Sequence, residues 1–355
     1  MPVLQIILIL ALLIFVHELG HFLAARLQGI YANRFSIGFG PVIWKYQGPQ
    51  TEYALRALPL GGFVGFPDDD PESDIDPNDP NLLRNRPVMD RAIVISAGVI
   101  ANLLFAYFVL TTQVFTVGLP QLSFAPGVVL PEIVKDSVAQ NAGLKEGDIV
   151  LRVNGIELPG NQTVVEILRA QIEGSPDKPI AFTIQRGTEN LDMSVTPSNK
   201  DGKGRIGIML APNAKIEVQH PNSPIAGLVL AGKELTRNVD QTVQGFGKLI
   251  TNFSATSKQV AGPVEIVRQG AKIAQRDWKN LFGFTTLISV NLAVMNILPL
   301  PALDGGQLLF IILEAIRGKP MPKRIEESFM QTGLVLLLSL GVILIIRDTA
   351  NWIQQ

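Results

Sequence analysis

The residues of this chain best placed to do chemistry are His17, Glu18 and His21, in the pentapeptide HELGH at residues 17–21. On a helix, His17 and His21 fall one turn apart on the same face, as two imidazoles must if they share one zinc ion. Glu18 is displaced around the helix, where it can take the proton of a water that the metal activates. The chemistry this spacing suits is hydrolysis. The setting sharpens the reading, because the pentapeptide sits inside an apolar run at about residues 3–27. Three ionisable side chains in five residues are costly to insert in hydrocarbon. Two neutral histidines that merely lined a helix contact would leave polar groups unpaired there.

A catalytic zinc takes three protein ligands and keeps one position open. The chain has three histidines and no cysteine, so thiolate ligands and a disulfide framework are both excluded. The third histidine, His220, lies in a polar stretch. A carboxylate is needed, and Asp304 is the candidate, in the segment NILPLPALDGG at residues 296–306. Pro299 and Pro301 interrupt a helix there, and Gly305 and Gly306 permit tight turns that bend the aspartate back toward another helix. Irregular backbone at that depth is tolerated where it is buried in protein or lines a cavity. On local sequence alone, capping a helix that begins near Gln307 remains the other use for this aspartate.

Elements must hold these residues in place. Charged residues make up 17% of the chain and hydrophobic ones 47%, with a mean hydropathy of +0.28, which points to membrane-buried parts. A net charge of −1 gives no reason to expect nucleic acid as a partner. Four stretches are apolar enough to span a bilayer, at about residues 3–27, 92–119, 281–300 and 329–346. The first does not read as a signal peptide: it lacks a basic leading region, and His17-Glu18 stands where a small-residue cleavage site is expected.

Between the first two spans, residues 35–46, a Gln47-Gly48-Pro49 turn and residues 51–58 read as a β-hairpin, continued by PLGGFVGF at 59–66. Residues 67–80 carry seven acids and four prolines and read as a solvated linker. A calcium loop would need a turn glycine and a closing glutamate, which they lack. Residues 126–197 form a soluble insert, in which AGLKEGDIVLRVNG (142–155) ends a strand on an Asn-Gly turn. A helical stretch at 164–172 and a strand at 180–185 follow. This pattern resembles a PDZ domain, which implies capture of extended peptide C-termini by strand addition. A small β-rich module that only packs on the membrane part is the plainer alternative. Residues 222–280 read as one or two amphipathic helices broken at Gly262-Pro263.

Basic residues set the orientation. Arg34, Lys45, Arg56, Arg84, Arg86 and Arg91 mark one loop, and Arg317, Lys319, Lys323 and Arg324 the other. Both are expected to face the cytosol or a stroma, with the insert on the opposite side.

HELGH in the first span, PLGGFV in the hairpin, the PDZ-like insert and NILPLPALDGG in a late span together resemble the site-2 protease family of intramembrane zinc metalloproteases. The likeness is to its bacterial branch, that of the regulator of sigma-E protease, over nearly the whole chain. It implies a polytopic α-helical membrane protein of about four transmembrane helices, with a membrane-associated β-hairpin and an inserted PDZ (α+β) domain. The parts would be residues 1–119, 126–197, 198–280 and 281–355. It implies one Zn²⁺ per chain on His17, His21 and Asp304, with Glu18 as general base. The reaction would be cleavage of peptide bonds within or near transmembrane helices of membrane proteins, such as anti-sigma-factor-like proteins already cut by another protease. Peptide C-termini would bind the PDZ domain. The membrane would be a bacterial inner membrane, or a plastid membrane in a plant or alga. The family's third-span asparagine corresponds to Asn296, with Asn291 in the same stretch. Its second-span G-P-x-x-N corresponds to Gly98 through Asn102, with Val99 in place of proline. Asn102 and Asn296 are expected to hold freed substrate backbone, and the hairpin at 35–58 to pair with it. The best-known bacterial relatives in the family carry two PDZ domains in tandem, and this chain has room for one.

Two other classes compete. A zinc transporter also places His and Asp in spans, but it has no use for a peptide-binding insert. An inactive scaffold would keep the insert without needing Glu18 beside two ligands.

Overall fold

A computed structural model describes residues 2–70, 73–252 and 260–353 of the chain. The chain divides into two compact units, Met1–Val117 with His220–Gln355, and Gly118–Gln219.

The first unit holds four helices long and apolar enough to cross a membrane. These are α1 (Pro2–Leu27), α2 (Val88–Thr116), α7 (Asn280–Ile297) and α9 (Lys323–Ile353). α1 and α2 cross where small residues let the backbones touch. A Cβ on Gly20 would lie 2.4 Å from the Ala97 carbonyl oxygen and 2.7 Å from the Ala101 Cβ. In a bilayer, where apolar burial does not drive association, such close packing is what holds helices together. The other helices of this unit are α5 (Pro224–Thr251), α6 (Pro263–Arg276) and α8 (Asp304–Arg317). Residues 253–259, in the stretch read as amphipathic, lie outside the described residues.

The loop between α1 and α2 is more elaborate than a simple hairpin. Strands β1 (Arg34–Gln47) and β2 (Glu52–Gly65) each bend, at Gly40-Pro41 and between Pro59 and Gly61. Gly40 and Gly61 take φ of 83° and 93°, which a side chain would disfavour. Residues 34–37 therefore lie between two segments of β2, parallel to 52–55 and antiparallel to 62–65. Residues 44–47 turn back and pair antiparallel with 52–55. The segment 62–65 is left as an edge with no further strand beside it among the described residues. Aromatic packing fixes the sheet on α1, with Phe22 and Phe35 ring centroids 5.3 Å apart and Phe15 and Phe35 at 5.9 Å. Arg56 ties the segments together through the Ser36 hydroxyl and the Gly40 carbonyl, both at 2.9 Å. The acidic stretch has more local order than a bare linker. Asp68 accepts from the Leu83 N–H and pairs with Arg84 at 3.2 Å, while Asp76 and Asp79 accept the N–H groups two residues on.

The second unit contains the PDZ-like insert. Its sheet runs β10-β3-β4-β6-β7, with β5 on β4. The strands are β3 (Leu119–Val129), β4 (Ile149–Val153), β5 (Ile156–Glu157), β6 (Ile180–Arg186), β7 (Glu189–Val195) and β10 (Ala211–Gln219). A short hairpin, β8 (Ser198–Lys200) with β9 (Lys203–Arg205), and helices α3 (Val138–Asn141) and α4 (Val164–Glu173) complete it. The unit outruns residues 126–197 at both ends because β10 pairs with β3 from Leu119 to Val129, a long-range partnership with no local signature. Val128, Val150, Leu168, Phe182 and Ile184 are buried in its core. Asn154 and Gly155 both have positive φ, the geometry a two-residue hairpin turn requires between β4 and β5. The Gly-Asp of the signature is an anchor, since Arg186 forks onto both Asp148 carboxylate oxygens at 2.8 Å. Burial raises that carboxyl, but hydrogen bonds from Arg186 and the Lys145 N–H, with both cationic charges, leave it below its usual range.

Candidate metal centre

His17 and His21 project from α1 onto α2. A Cβ on Gly98 would lie 2.3 Å from His21 Nε2 and 2.7 Å from His17 Cε1, so the absence of a side chain there makes the cradle for both rings. Below the broken end of α7, Leu298 is extended ahead of Pro299, and Ala302 takes φ of 65°, a strained value for a residue with a Cβ. The chain then enters α8 at Asp304. Gly305 and Gly306 admit the Leu298 and Leu300 carbonyl oxygens, which would lie 2.1 and 2.3 Å from a Cβ at either position. That close turn carries the Asp304 carboxylate up to the two rings.

The three donors meet. Asp304 Oδ2 is 3.1 Å from His17 Nε2 and 3.4 Å from His21 Nε2, and the two Nε2 atoms are 3.3 Å apart. Ligands at ~2.0–2.1 Å around a tetrahedral ion stand ~3.3 Å from one another, so these edges fit a zinc ion. Asp304 Oδ2 is buried with no hydrogen-bond partner, as a ligand oxygen awaiting a cation would be. The remaining donor atoms fit as well. His21 Nδ1 donates to the Val94 carbonyl at 2.8 Å, which leaves the Nε2 lone pair free for a metal. Two nitrogens and one carboxylate oxygen form a donor set typical of catalytic zinc.

Glu18 lies in the same cavity of about 510 Å³, which is bordered by His17, His21 and Asp304 and by residues 61–64 of β2. The Val64 N–H donates to the Glu18 carboxylate. A Cβ on Gly62 would lie 2.9 Å from Glu18 Cγ, so the strand edge runs directly beside the acid. Asn296 Nδ2 is 3.4 Å from His17 Nε2, and Asn102 Nδ2 is 3.4 Å from His17 Nδ1. Asn291 is elsewhere: its side-chain oxygen accepts from Thr242 of α5 at 3.0 Å, and it supports packing instead of bordering the cavity. His220 is exposed and stands outside the ligand group.

The sequence matched Gly98 to a motif without giving it a role, and it did not point to two backbone groups. Gly98 carried a usable signal, because glycine inside a helix costs about 1 kcal/mol against alanine and so calls for a packing reason. The Val94 carbonyl and the Val64 N–H are backbone groups, and side-chain identity does not announce them.

Residues 5–340 match peptidase family M50. A relative from Nostoc sp., "Putative zinc metalloprotease all3971", is 58% identical over 363 residues, covering 100% of this chain and 99% of its own. "Membrane metalloprotease ARASP, chloroplastic", from Arabidopsis thaliana, is 46% identical over 98% of this chain and 79% of that one. The Bacillus subtilis "Regulator of sigma-W protease RasP" is 29% identical over 98% of this chain and 97% of that one. With the match spanning four apolar helices and the ligand group between them, the chain belongs to peptidase family M50 and is a membrane metalloprotease of the site-2 protease type.

Proposed function

We propose that this protein hydrolyses peptide bonds within or near transmembrane helices of other membrane proteins, with one zinc on His17, His21 and Asp304 and Glu18 as general base. The observation that carries the reading is the triangle of Nε2, Nε2 and Oδ2 atoms, 3.1–3.4 Å on a side, in one cavity with Glu18. Zinc, named for the Nostoc relative, would polarise the scissile carbonyl and make a water acidic enough to lose its proton at neutral pH. Glu18, held by the Val64 N–H, takes that proton and passes it to the leaving amine.

A helical substrate hides its carbonyls in hydrogen bonds to the fourth residue along, so it must unwind first. The free edge of residues 62–65 supports strand addition next to Glu18. This edge, nearer the chemistry than the hairpin of 35–58, is the segment assigned to the substrate. Asn296, half-buried beside His17, is suited to donate to a freed carbonyl. The PDZ domain takes peptide C-termini in the groove between α4 and residues 205–210 and restricts access. It lies on the extracytoplasmic side of a bacterial inner membrane, or the corresponding side of a plastid membrane. Pre-cleaved, anti-sigma-factor-like proteins are the substrate class, in keeping with the name of the Bacillus relative.

Glu18→Gln keeps shape but cannot accept the proton. It should retain zinc and lose cleavage of a transmembrane substrate in detergent by at least ~100-fold. Asp304→Asn should lose zinc and activity together, and His17→Ala and His21→Ala more severely, while His220→Ala changes neither. Full activity in Glu18→Gln would overturn the assignment. Normal zinc in Asp304→Asn would move the third ligand elsewhere.

A further inference from the structure

We propose that Asn102 is a positioning residue for His17, whose amide oxygen accepts the His17 Nδ1 proton and so fixes the tautomer that presents Nε2 to the metal. The proposal rests on the reading of His17 as a zinc ligand.

Val94, Gly98 and Asn102 follow one another at four-residue intervals, one stripe of α2 facing the HELGH segment of α1. Two members of the stripe already have a part in the centre. The Val94 carbonyl receives His21 Nδ1 at 2.8 Å, and Gly98 gives room to both rings. Asn102, the third, reaches His17 Nδ1 with its amide at 3.4 Å. Each histidine thus has its own partner on α2 for the ring nitrogen that faces away from Asp304.

The chemistry then selects one end of the amide. With Nδ2 toward Nδ1, the amide donates to an unprotonated Nδ1, which is the tautomer whose Nε2 carries a proton and cannot ligate. Asn102 Oδ1 meanwhile is buried with no hydrogen-bond partner. Turning the amide over exchanges two groups of nearly equal size and brings Oδ1 to an N–H at Nδ1. That leaves the Nε2 lone pair for the metal, as the carbonyl of Val94 does for His21. The residue is well anchored for the task, because its own carbonyl accepts the Ser289 hydroxyl of α7 at 2.8 Å and both residues are 0% exposed.

Complete burial also separates this role from that of holding substrate backbone. Asn296, half-buried, can touch a chain entering the cavity, whereas Asn102 borders the same cavity at 0% exposure, behind the His17 ring.

The test compares Asn102→Asp with Asn102→Leu in the full chain, purified in detergent. Zinc affinity is measured by competition with a chelator, and KM by cleavage of a transmembrane substrate at saturating zinc. Aspartate keeps an acceptor and has no donor, while leucine has neither. Asn102→Leu should bind zinc ~10–100-fold more weakly, the usual cost of losing an outer partner of a metal-bound histidine. Asn102→Asp should bind as tightly as the wild type, and KM should stay unchanged in both. Wild-type affinity in Asn102→Leu would overturn the proposal. So would Asn102→Asp behaving like leucine with a raised KM, since that pattern requires the donor. The wild type and Glu18→Gln run beside them: if neither takes up zinc, it is the underlying metal assignment that has failed.

Discussion

Replacing Gly98 with alanine should remove the metal and leave the fold standing. The added Cβ would lie 2.3 Å from His21 Nε2, 2.7 Å from His17 Cε1 and 2.8 Å from His21 Cε1. Non-bonded heavy atoms rest at about 3.5 Å or more, so both rings must retreat by roughly 1 Å. Metal-ligand distances tolerate deviations of about 0.2 Å, a fifth of that displacement. Two of three ligands are disturbed together, so a loss of zinc affinity above ~100-fold is expected, beyond the range for outer-sphere changes. The effect on folding is small by comparison. Alanine favours the helix by about 1 kcal/mol over glycine, while overpacking costs about 1–3 kcal/mol, which leaves a net cost of about 0–2 kcal/mol. Gly245→Ala on α5 is the control, since a Cβ there meets nothing within 4 Å. Zinc content by mass spectrometry after dialysis against a chelator, beside a thermal melt of the apoprotein, reads both quantities. A Gly98→Ala protein that melts normally and keeps its zinc would refute the packing argument.

Single cysteines at Asp70 and Asn190 should label from opposite sides of the membrane in intact cells or organelles, and labelling of both from one side would sink the four-span topology. Removing residues 118–219 should leave cleavage of an already truncated substrate intact or less selective; loss of that cleavage in a folded protein would refute the gating role of the PDZ domain. Arg186→Ala should lower the melting temperature of the PDZ domain at pH 7, because the Asp148 side chain is only 1% exposed and loses its cation. A carboxyl held below its usual range stabilises the fold above its unfolded pKa of about 4 and ceases to as pH falls toward the folded value. The gap between mutant and wild type should therefore narrow in acid, and a gap that is constant with pH would show the role of Arg186 to be packing alone.

That His17, His21 and Asp304 would meet was legible because chemistry constrains their types. HELGH has few uses inside an apolar run, and an aspartate between two prolines and two glycines advertises a bend at depth. The spans were legible for a similar reason, since hydrocarbon demands a length and a composition. What escaped was set by pairing across long separations. Residues 34–37 insert between 52–55 and 62–65, and the partner of a strand is not written in its own alternation. Asn291 and Asn296 read alike on one stretch, yet one faces Thr242 and the other His17. Their difference of five residues on a helix is a rotation whose meaning depends on what packs on either side.

The three side chains that meet at the centre also have an order in time. His17 and His21 are made and inserted first, whereas Asp304 lies beyond the PDZ domain and after the third apolar helix. A ribosome-bound chain that has not yet released α8 therefore carries a histidine pair without its carboxylate. The group that could hold the ion is thus completed only late in the synthesis of the chain.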